Sequence, residues 1–369
     1  MFRLILTLVY IIPNVYLFFR ILFLFIGKGY RLTYSIIYLM LASLFPLTIG
    51  SYGEMYFLMN ILSVISWYLL PVYLYLFLSI LVFDIFLLFN LVFRFVSREK
   101  RKSFSFRLYT FLVMIILSVL IVIGGIINLN TIRVSQYRIE VPRRQARPDH
   151  LRVAFVSDLH LQRNLRPEFV EQFVRKVNAL RPDLMLYGGD MVEGDDENES
   201  TERIESALRS VVTPYGSYGV LGNHEFYGGQ ERGSFFRKSG IILLNDTAIR
   251  VDDSFYLAGR VDQHFVNRKS LEEIFGNLPH DLPVIVMDHR PIGLQAVSHT
   301  ITDVQFSGHT HNGQLFPINL IERHIYELCW GYRKIGHTHF FVTSGLRLWG
   351  PPVKTAGKSE IMLVDIDLK

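Results

Sequence analysis

The stretch that decides the fold of this chain is Val153-Ala-Phe-Val-Ser-Asp-Leu-His160, an apolar run that ends in a carboxylate and an imidazole. Its composition predicts a strand, and side chains two positions apart on a strand project from the same face. Asp158 and His160 are therefore expected to reach one point beyond the strand, where open α/β sheets place their ligands. An oxygen and a nitrogen ligand together suit a divalent metal. The alternative is a pair of hydrogen-bonded residues at a strand end.

From Leu151 onward, short apolar runs alternate with amphipathic segments, which predicts an α/β fold. The predicted strands are 151–157, 184–188, 217–221, 255–259, 283–287, 303–307, 339–343 and 360–366. The predicted helices are Pro167–Leu180, 200–210, 229–239, 269–276 and 291–298. Pro167 stands at an early helical position that tolerates proline, and an apolar face follows it.

Four more predicted strand ends carry the same kinds of side chain. They present Asp190, then Asn223 with His224, then His289, and finally His309 with His311. Together with Asp158 and His160, and leaving out His224, this makes seven candidate ligands. Seven are too many for one tetrahedral site but suit two metals that share a bridging carboxylate and act together at phosphorus.

These residues form blocks that resemble the signature of calcineurin-like metallophosphoesterases. The five blocks are Asp158-Leu-His160, Gly189-Asp190, Gly222-Asn223-His224-Glu225, His289, and Gly308-His309-Thr310-His311. All five occur in order within about residues 150–369. The segments Asn312-Gly-Gln314 and Ser344–Pro352 further resemble the bacterial membrane-anchored branch, which often has Gly where Asn312 stands.

The resemblance implies a role for each of these residues. Asp158, His160 and His311 would hold a first metal, Asn223, His289 and His309 a second, and Asp190 would bridge both. His224 would protonate the leaving oxygen or stabilise the transition state as an activated water attacks phosphorus. The implied fold is a four-layer α/β/β/α sandwich. The metals would be two divalent ions drawn from Mn, Fe and Zn, since mixed His/Asp/Asn sites suit all three.

The first 127 residues predict a membrane region. Apolar runs cover Leu4–Ile26, Leu32–Gly50, Phe57–Phe93 and Phe104–Ile127, and about 20 residues suffice to span a bilayer. The third run is too long for one untilted span and too short for two, so we interpret it as one helix, extended or kinked at Pro71. A cleaved signal peptide is the alternative for the first run, and its length and Arg20 oppose it. The prediction is a region of four transmembrane helices.

Basic residues between the spans predict the orientation. Lys28 and Arg31 flank the first connection, the second has only Glu54, and the third carries Arg94, Arg98, Lys100, Arg101, Lys102 and Arg107. The positive-inside tendency places the first and third connections in the cytoplasm, so both termini are expected on the opposite side. Two spans in the third run would reverse this. The branch resemblance implies a bacterial inner or cytoplasmic membrane.

The charge balance excludes some classes of partner. Residues 1–130 have ten Lys/Arg and three Asp/Glu, whereas the rest has 28 and 30, so the basic excess lies in the membrane region. Nothing there supports nucleic-acid binding by residues 131–369. Cys329, the only cysteine, excludes an intramolecular disulfide or a cysteine zinc site. Arg20 and Asp84, at membrane depth, suggest either function or simple snorkelling and hydrogen bonding.

Several segments keep two interpretations. Residues 128–150 are interpreted as a juxtamembrane linker that contains one strand, Ser135–Val141. The linker also carries Arg143, Arg144 and Arg147, which are expected to contact either lipid headgroups or solvent. His337 and His339 have metal-like spacing within a strand pattern, and Asp195–Glu199 resembles a solvated acidic loop. Asp288 is weighed as a partner that orients His289. Leu315–Trp330 is amphipathic and either contacts lipid or packs against the domain.

We therefore expect a membrane-anchored phosphoesterase acting on a phosphate ester or pyrophosphate of a lipid or lipid-linked substrate. The lipid substrate rests on the membrane anchor and the branch resemblance. One alternative is a tethered nucleotide or general phosphodiesterase. Another is a non-catalytic membrane sensor or scaffold, which would not need to keep His224. Membrane lipids are the expected partners, and the oligomeric state stays open.

Overall fold

The computed structural model describes residues 2–48, 57–161, 165–193, 199–227, 233–276 and 278–369. Its contacts divide the chain into two compact units. The first unit comprises Met1–Ile127 with Gly350–Val353, and the second comprises Asn128–Trp349 with Lys354–Lys369.

The first unit is helical. Its helices are α1 Phe2–Leu24, α2 Arg31–Thr48, α3 Phe57–Phe93, the short α4 Arg98–Lys102, and α5 Phe104–Leu129. The third apolar run is a single helix that continues through Pro71, as predicted. Three stretches are long and apolar enough to span a membrane, namely Lys28–Thr48, Ile61–Phe93 and Phe104–Leu129. Within the described residues α1 contributes a shorter apolar helix, Tyr10–Leu24, so a count of four spans stays a prediction.

Arg20 and Asp84 neutralise each other within this unit. The Arg20 Nε donates to Asp84 Oδ2 at 2.9 Å, and the Tyr16 hydroxyl donates to the same carboxylate. The ion pair joins α1 to α3. Arg20 is thus paired rather than snorkelling alone, which is how most intramembrane charges are accommodated.

The second unit contains two mixed six-stranded sheets. Its strands are β1 Arg133–Val141, β2 His150–Val156, β3 Leu184–Tyr187, β4 Ser217–Gly219, β5 Ile242–Leu243, β6 Thr247–Val251, β7 Phe255–Arg260, β8 Val284–Asp288, β9 Val304–Ser307, β10 Gly331–Ile335, β11 Thr338–Val342 and β12 Glu360–Leu368. The strand orders are β1-β12-β2-β3-β4-β5 and β10-β11-β9-β8-β7-β6. In the first sheet β2, β3, β4 and β5 run parallel, and in the second β7, β8, β9 and β11 run parallel.

The helices of this unit are short except for the first two. They are α6 Pro167–Leu180, α7 Glu199–Arg209, α8 Asn223–Tyr227, α9 Ser234–Lys238, α10 Leu271–Phe275, α11 Leu294–Val297 and α12 Ile318–Ile325. The helix predicted at 229–239 is observed as Ser234–Lys238, and residues 228–232 lie outside the described part. The acidic residues Asp195, Asp196 and Glu197 also lie outside it.

Strand β2 shows why the sheets pack as they do. Val153 and Phe155 belong to a buried cluster shared with the second sheet, including Val286 of β8. The alternate side chains of Ala154 and Val156 belong to another cluster with α6, α7 and α9. Because successive strand residues face opposite sides, an unbroken apolar run predicts burial on both faces. Parallel pairing of β2 to β5 and of β7 to β9 brings the C-terminal ends of these strands to the same edge within each sheet.

The segment predicted as a linker contributes a strand to this unit. Strand β1 pairs in parallel with β12 over its whole length, from Arg133 opposite Glu360 to Val141 opposite Leu368. The arginines predicted near headgroups instead form ion pairs inside the unit. These pairs join Arg143 to Asp149, Arg144 to Asp303, and Arg147 to Asp253. Residues 128–150 therefore begin the compact unit rather than precede it.

Candidate metal centre

The residues after β2 do not continue the strand, contrary to the expectation for Asp158 and His160. Strand β2 ends at Val156, and Asp158 and His160 have φ values of 59° and 46°. Asp190, His309 and His311 also have positive φ, at 53°, 70° and 50°. Non-glycine residues in this region are strained by roughly 1–3 kcal/mol each, and such strain concentrates at functional sites. The loops therefore turn these side chains inward by backbone conformation rather than by strand alternation.

Three overlapping sets of potential ligand atoms come together at the strand ends. Within each set, the described ligand atoms all lie within 4.8 Å of one another. The sets are Asp158 with His160 and His311, His160 with Asp190 and His224, and Asp190 with His289 and His309. Asp190 is shared between the last two sets, and its Oδ2 lies 4.0 Å from His160 Nε2 of the first set, so its carboxylate lies beside predicted ligands of both metals.

The first set joins β2 to the loop after β9. His311 Nε2 lies 3.2 Å from His160 Nε2 and 3.6 Å from Asp158 Oδ1. The backbone N–H of His309 donates to Asp158 at 3.1 Å, which aligns this loop with the carboxylate. Gly308 permits the approach, since a Cβ there would lie 2.5 Å from Asp158 Oδ2.

The third set, Asp190 with His289 and His309, centres on His289. Its Nε2 lies 3.1 Å from Asp190 Oδ2 and 3.2 Å from the side-chain oxygen of Asn223. Burial opposes a charge on His289, but the Asp190 carboxylate raises the pKa of His289 to about 10. Burial and the nearby His289 lower the pKa of His309 to about 3. The Asp190 carboxylate thus favours the protonated form of His289, whereas His309 favours the neutral imidazole.

Two of the imidazoles are oriented by contacts outside the cluster. His289 Nδ1 donates to the carbonyl oxygen of Gly188 at 2.7 Å, and His160 Nδ1 donates to the carboxylate of Glu193. Each contact leaves Nε2 directed into the cluster. This is the arrangement that metal-binding histidines normally adopt.

The cluster fits divalent metals on its own chemistry. Asp158 and Asp190 are at most 1% exposed, and among the described residues their ion pairs involve only histidines. Burial raises the pKa of Asp158. Burial acts likewise on Asp190, but His289 holds the pKa of that carboxyl well below its usual range. Buried carboxylates without Lys or Arg partners require positive charge, and the surrounding N and O donors suit Mn, Fe or Zn.

His224 stands beside this cluster and is held at both its backbone and its ring. Its backbone N–H donates to Asp190 Oδ1 at 2.8 Å, and its Nδ1 donates to Glu193 Oε2 at 2.9 Å. Burial would lower the pKa of His224, but Glu193 and the charge of Asp190 raise it above its ordinary value. A ring nitrogen of His224 also lies within 4.8 Å of ligand atoms of His160 and Asp190, so the ring borders the cluster.

Glu193 and Glu225 contact the cluster, and the sequence alone assigned neither of them a role. One carboxylate oxygen of Glu193 contacts His160 and the other contacts His224. Glu225 is buried and accepts hydrogen bonds from the backbone of Gly222, Asp190 and Val192. The sequence signal that could have identified them is their position beside predicted site residues: Glu193 follows Asp190 by three residues, and Glu225 directly follows His224.

The tail segment after β11 supports the first set. The backbone N–H groups of Leu346 and Arg347 donate to the carbonyl oxygens of Ser157 and Asp158, both at 2.9 Å. Gly345 has φ 83°, and a Cβ there would lie 3.0 Å from the Asp158 Cβ and 3.1 Å from His311 Nδ1. A larger residue at 345 would therefore displace both ligands.

Three residues for which the sequence suggested a role near the metals, His337, His339 and Asp288, lie outside the cluster. His339 contacts the Tyr332 hydroxyl at 3.0 Å, and His337 lies in the turn between β10 and β11. Asp288 pairs with Arg260 and Arg268 and does not orient His289. Adjacent strand residues point in opposite directions, which explains the separation of Asp288 from the His289 ring.

Comparisons with known proteins cover both units. Residues 151–313 match the family profile of calcineurin-like phosphoesterases. An uncharacterized metallophosphoesterase of Campylobacter jejuni subsp. jejuni is 29% identical over 280 residues, 73% of each chain. One from Aquifex aeolicus is 29% identical over 67% of this chain and 97% of its own. A transmembrane protein with metallophosphoesterase domain from Danio rerio is 29% identical over 85% of this chain and 76% of its own.

Proposed function

The chain belongs to the calcineurin-like phosphoesterase family, and we propose that it is a membrane-anchored enzyme using two divalent metals to hydrolyse a phosphate ester or pyrophosphate. Family membership makes it a metal-dependent phosphoester hydrolase. The observation that carries the proposal is a chain of three ligand sets, in which His160 is shared by the first two and Asp190 by the last two, with the ligand atoms of each set within 4.8 Å of one another. A single structural metal would not need a shared carboxylate between two sets.

Each predicted ligand has a place in this proposal. Asp158, His160 and His311 would hold the first metal, and Asn223, His289 and His309 would hold the second, as their mutual distances support. Asp190 would be the carboxylate that the two metals share. When bound, two such metals lower the pKa of water and neutralise charge on the phosphoryl oxygens.

His224 supplies the proton in this mechanism. In its doubly protonated form the ring donates Nδ1–H to Glu193 and would pass its Nε2 proton to the leaving oxygen. Glu193 keeps the ring in this orientation and stabilises its positive charge. Positioned proton transfer of this kind accelerates a reaction by about 10²–10⁴-fold.

The finer architecture forms part of the same proposal. The apolar helix Tyr10–Leu24 joins the three longer stretches as a fourth span, and the domain lies on the extracytoplasmic side of a bacterial cytoplasmic membrane. The basic residues between α3 and α5 support this orientation. The two buried clusters, one between the sheets and one beneath α6, α7 and α9, support a layered α/β/β/α sandwich.

The substrate proposed is a lipid or lipid-linked phosphoester. Its support is the presence of three apolar helices in the chain and a similar protein whose name describes a transmembrane protein. A tethered nucleotide or general phosphodiesterase would use the same metals. A non-catalytic sensor would not need the His224–Glu193 contact, so that contact favours an enzyme.

Substitution of His224 with Asn tests the function. We expect turnover of bis(p-nitrophenyl) phosphate in Mn²⁺ to fall by about 10²-fold or more, because the proton donor is lost, while metal content stays unchanged. The matched control is His280→Asn, at an exposed histidine, which should retain wild-type turnover. Unchanged hydrolysis by the His224→Asn protein would remove this residue from the mechanism.

A further inference from the structure

An exposed apolar surface follows the loop that carries His309 and His311. Within the described part of the second unit, eleven large hydrophobic side chains are exposed, and five of them fall between residues 316 and 325. These five are Phe316 (50% exposed), Ile318 (39%), Leu320 (45%), Ile321 (62%) and Ile325 (66%). The other six are scattered. Clustered exposure of this kind marks an interaction surface, whereas single exposed apolar residues are ordinary.

The surface is organised on helix α12. Ile318, Ile321 and Ile325 follow the three- and four-residue spacing that aligns side chains on one helix face. Arg323 and His324 lie in the last turn and are exposed. Asn319 is the only buried residue of the helix. This exposure rules out the alternative that the apolar residues of α12 pack into the domain core.

Helix α12 packs against the loop that carries His309 and His311. A Cβ on Gly313 would lie 2.5 Å from the backbone nitrogen of Asn319, so the end of the metal loop packs directly on the helix. On the other side, the Tyr326 ring lies 6.2 Å from the His309 ring, and Thr310 donates to the Cys329 carbonyl oxygen at 2.6 Å. A ligand bound to α12 therefore lies beside the loop that carries His309 and His311.

We propose that α12 lies in the surface of the bilayer, with its three isoleucines at the hydrocarbon boundary and Arg323 among anionic headgroups. Only residues 130–132 separate helix α5 from strand β1, so the chain tethers the domain to any membrane that α5 spans. An apolar stripe beside basic residues is the pattern of an interfacial helix. The inference rests on the proposed membrane anchoring and deepens it, since it presents the metal centre to phosphoesters in the headgroup layer.

Fluorescence quenching in vesicles tests the position of the helix. The full chain with Ile321→Cys is labelled with a nitrobenzoxadiazole dye and reconstituted into phosphatidylcholine–phosphatidylglycerol vesicles containing lipids with a doxyl group near the headgroup. The unsubstituted chain is the blank, because Cys329 is buried. The matched control is Val266→Cys, on an isolated side chain that is 85% exposed.

We expect the doxyl lipids to quench the label at position 321 and aqueous iodide to quench the label at position 266. Quenching at position 321 by iodide alone would overturn the proposal. So would protection from both quenchers, which would indicate a protein partner or a second copy of the chain. The measurement needs no turnover, so it separates this inference from a failure of the proposed function.

A second variant connects the surface to activity. Ile321→Asp with Ile325→Asp should lower turnover of phosphatidic acid in the same vesicles by about tenfold, because charges at the hydrocarbon boundary oppose insertion. Turnover of soluble p-nitrophenyl phosphate should stay at the wild-type level. Val212→Asp, at another exposed apolar residue, is the control for an added charge. Unchanged turnover of phosphatidic acid, or equal loss on both substrates, would contradict membrane docking by α12.

Discussion

Glu193 links two histidines that have different tasks. It contacts Nδ1 of His160, a predicted metal ligand, and Nδ1 of His224, the predicted proton donor. Burial would raise the pKa of Glu193, but these two hydrogen bonds lower it, so the carboxylate stays charged. One residue thus orients both a ligand and an acid.

Substitution of Glu193 with Gln should weaken metal binding and turnover together. Gln keeps the size of the side chain but carries no charge and has one acceptor oxygen in place of two. Loss of a partner that orients a metal ligand costs about 10–100-fold in affinity or activity. Metal titration with turnover measures both. The control is Glu171→Gln, at a surface ion pair with Arg203. Wild-type behaviour of Glu193→Gln would disprove the linkage.

All seven predicted ligands and His224 lie at the strand ends, because each follows an apolar run in sequence. The backbone conformation that directs them could not be predicted. Asp158 and His160 were expected on a strand face, yet both have positive φ in the loop after β2. That geometry depends on contacts from distant residues, such as the hydrogen bond from Arg347 N–H to the carbonyl oxygen of Asp158.

Among the elements, β1 is the clearest case of a strand whose pairing partner local sequence cannot predict. The alternation in Ser135–Val141 predicted a strand, but nothing nearby in sequence could identify its partner, β12, more than 200 residues later. Helix α6 was predicted at its observed bounds, because its apolar face and Pro167 are local signals. Strands β5, β6 and β10 were missed. They are two to five residues long, β6 and β10 lack an apolar run, and the run that contains β5, residues 241–244, has only four residues.

Two of the arginines that follow β1, Arg144 and Arg147, should stabilise the domain to different extents, because the carboxylates they bind differ in burial. Arg144 binds Asp303 through both guanidinium nitrogens, at 2.7 and 2.9 Å, and this carboxylate is 1% exposed. Arg144→Met strands a buried charge and should cost of order 3 kcal/mol. Arg147 pairs with an exposed Asp253, so Arg147→Met should cost about 1 kcal/mol or less.

Thermal unfolding of the full chain in detergent compares the two variants. A clearly lower Tm for Arg144→Met than for Arg147→Met is expected. Equal Tm values would show that the Arg144–Asp303 pair contributes no more stability than the exposed Arg147–Asp253 pair.

At the scale of the whole molecule, the proposed orientation places the loop 94–103 in the cytoplasm and the C-terminus outside. In intact cells, a membrane-impermeant maleimide should label Lys369→Cys directly and Lys100→Cys only after the membrane is disrupted. Both positions are exposed, and the chain without an added cysteine is the blank, because Cys329 is buried. The reverse pattern of labelling would contradict four spans.

The convergence of distant strand ends on Asp190 is the central claim, and metal content tests it most directly. The full chain purified in detergent and loaded with Mn²⁺ should carry about two equivalents by mass spectrometry. Asp190→Asn, which removes the shared charge, should lower this content, whereas His324→Asn on the exposed face of α12 should not. A wild-type protein without metal, or an Asp190→Asn protein that binds as much metal as wild type, would contradict the two-metal centre.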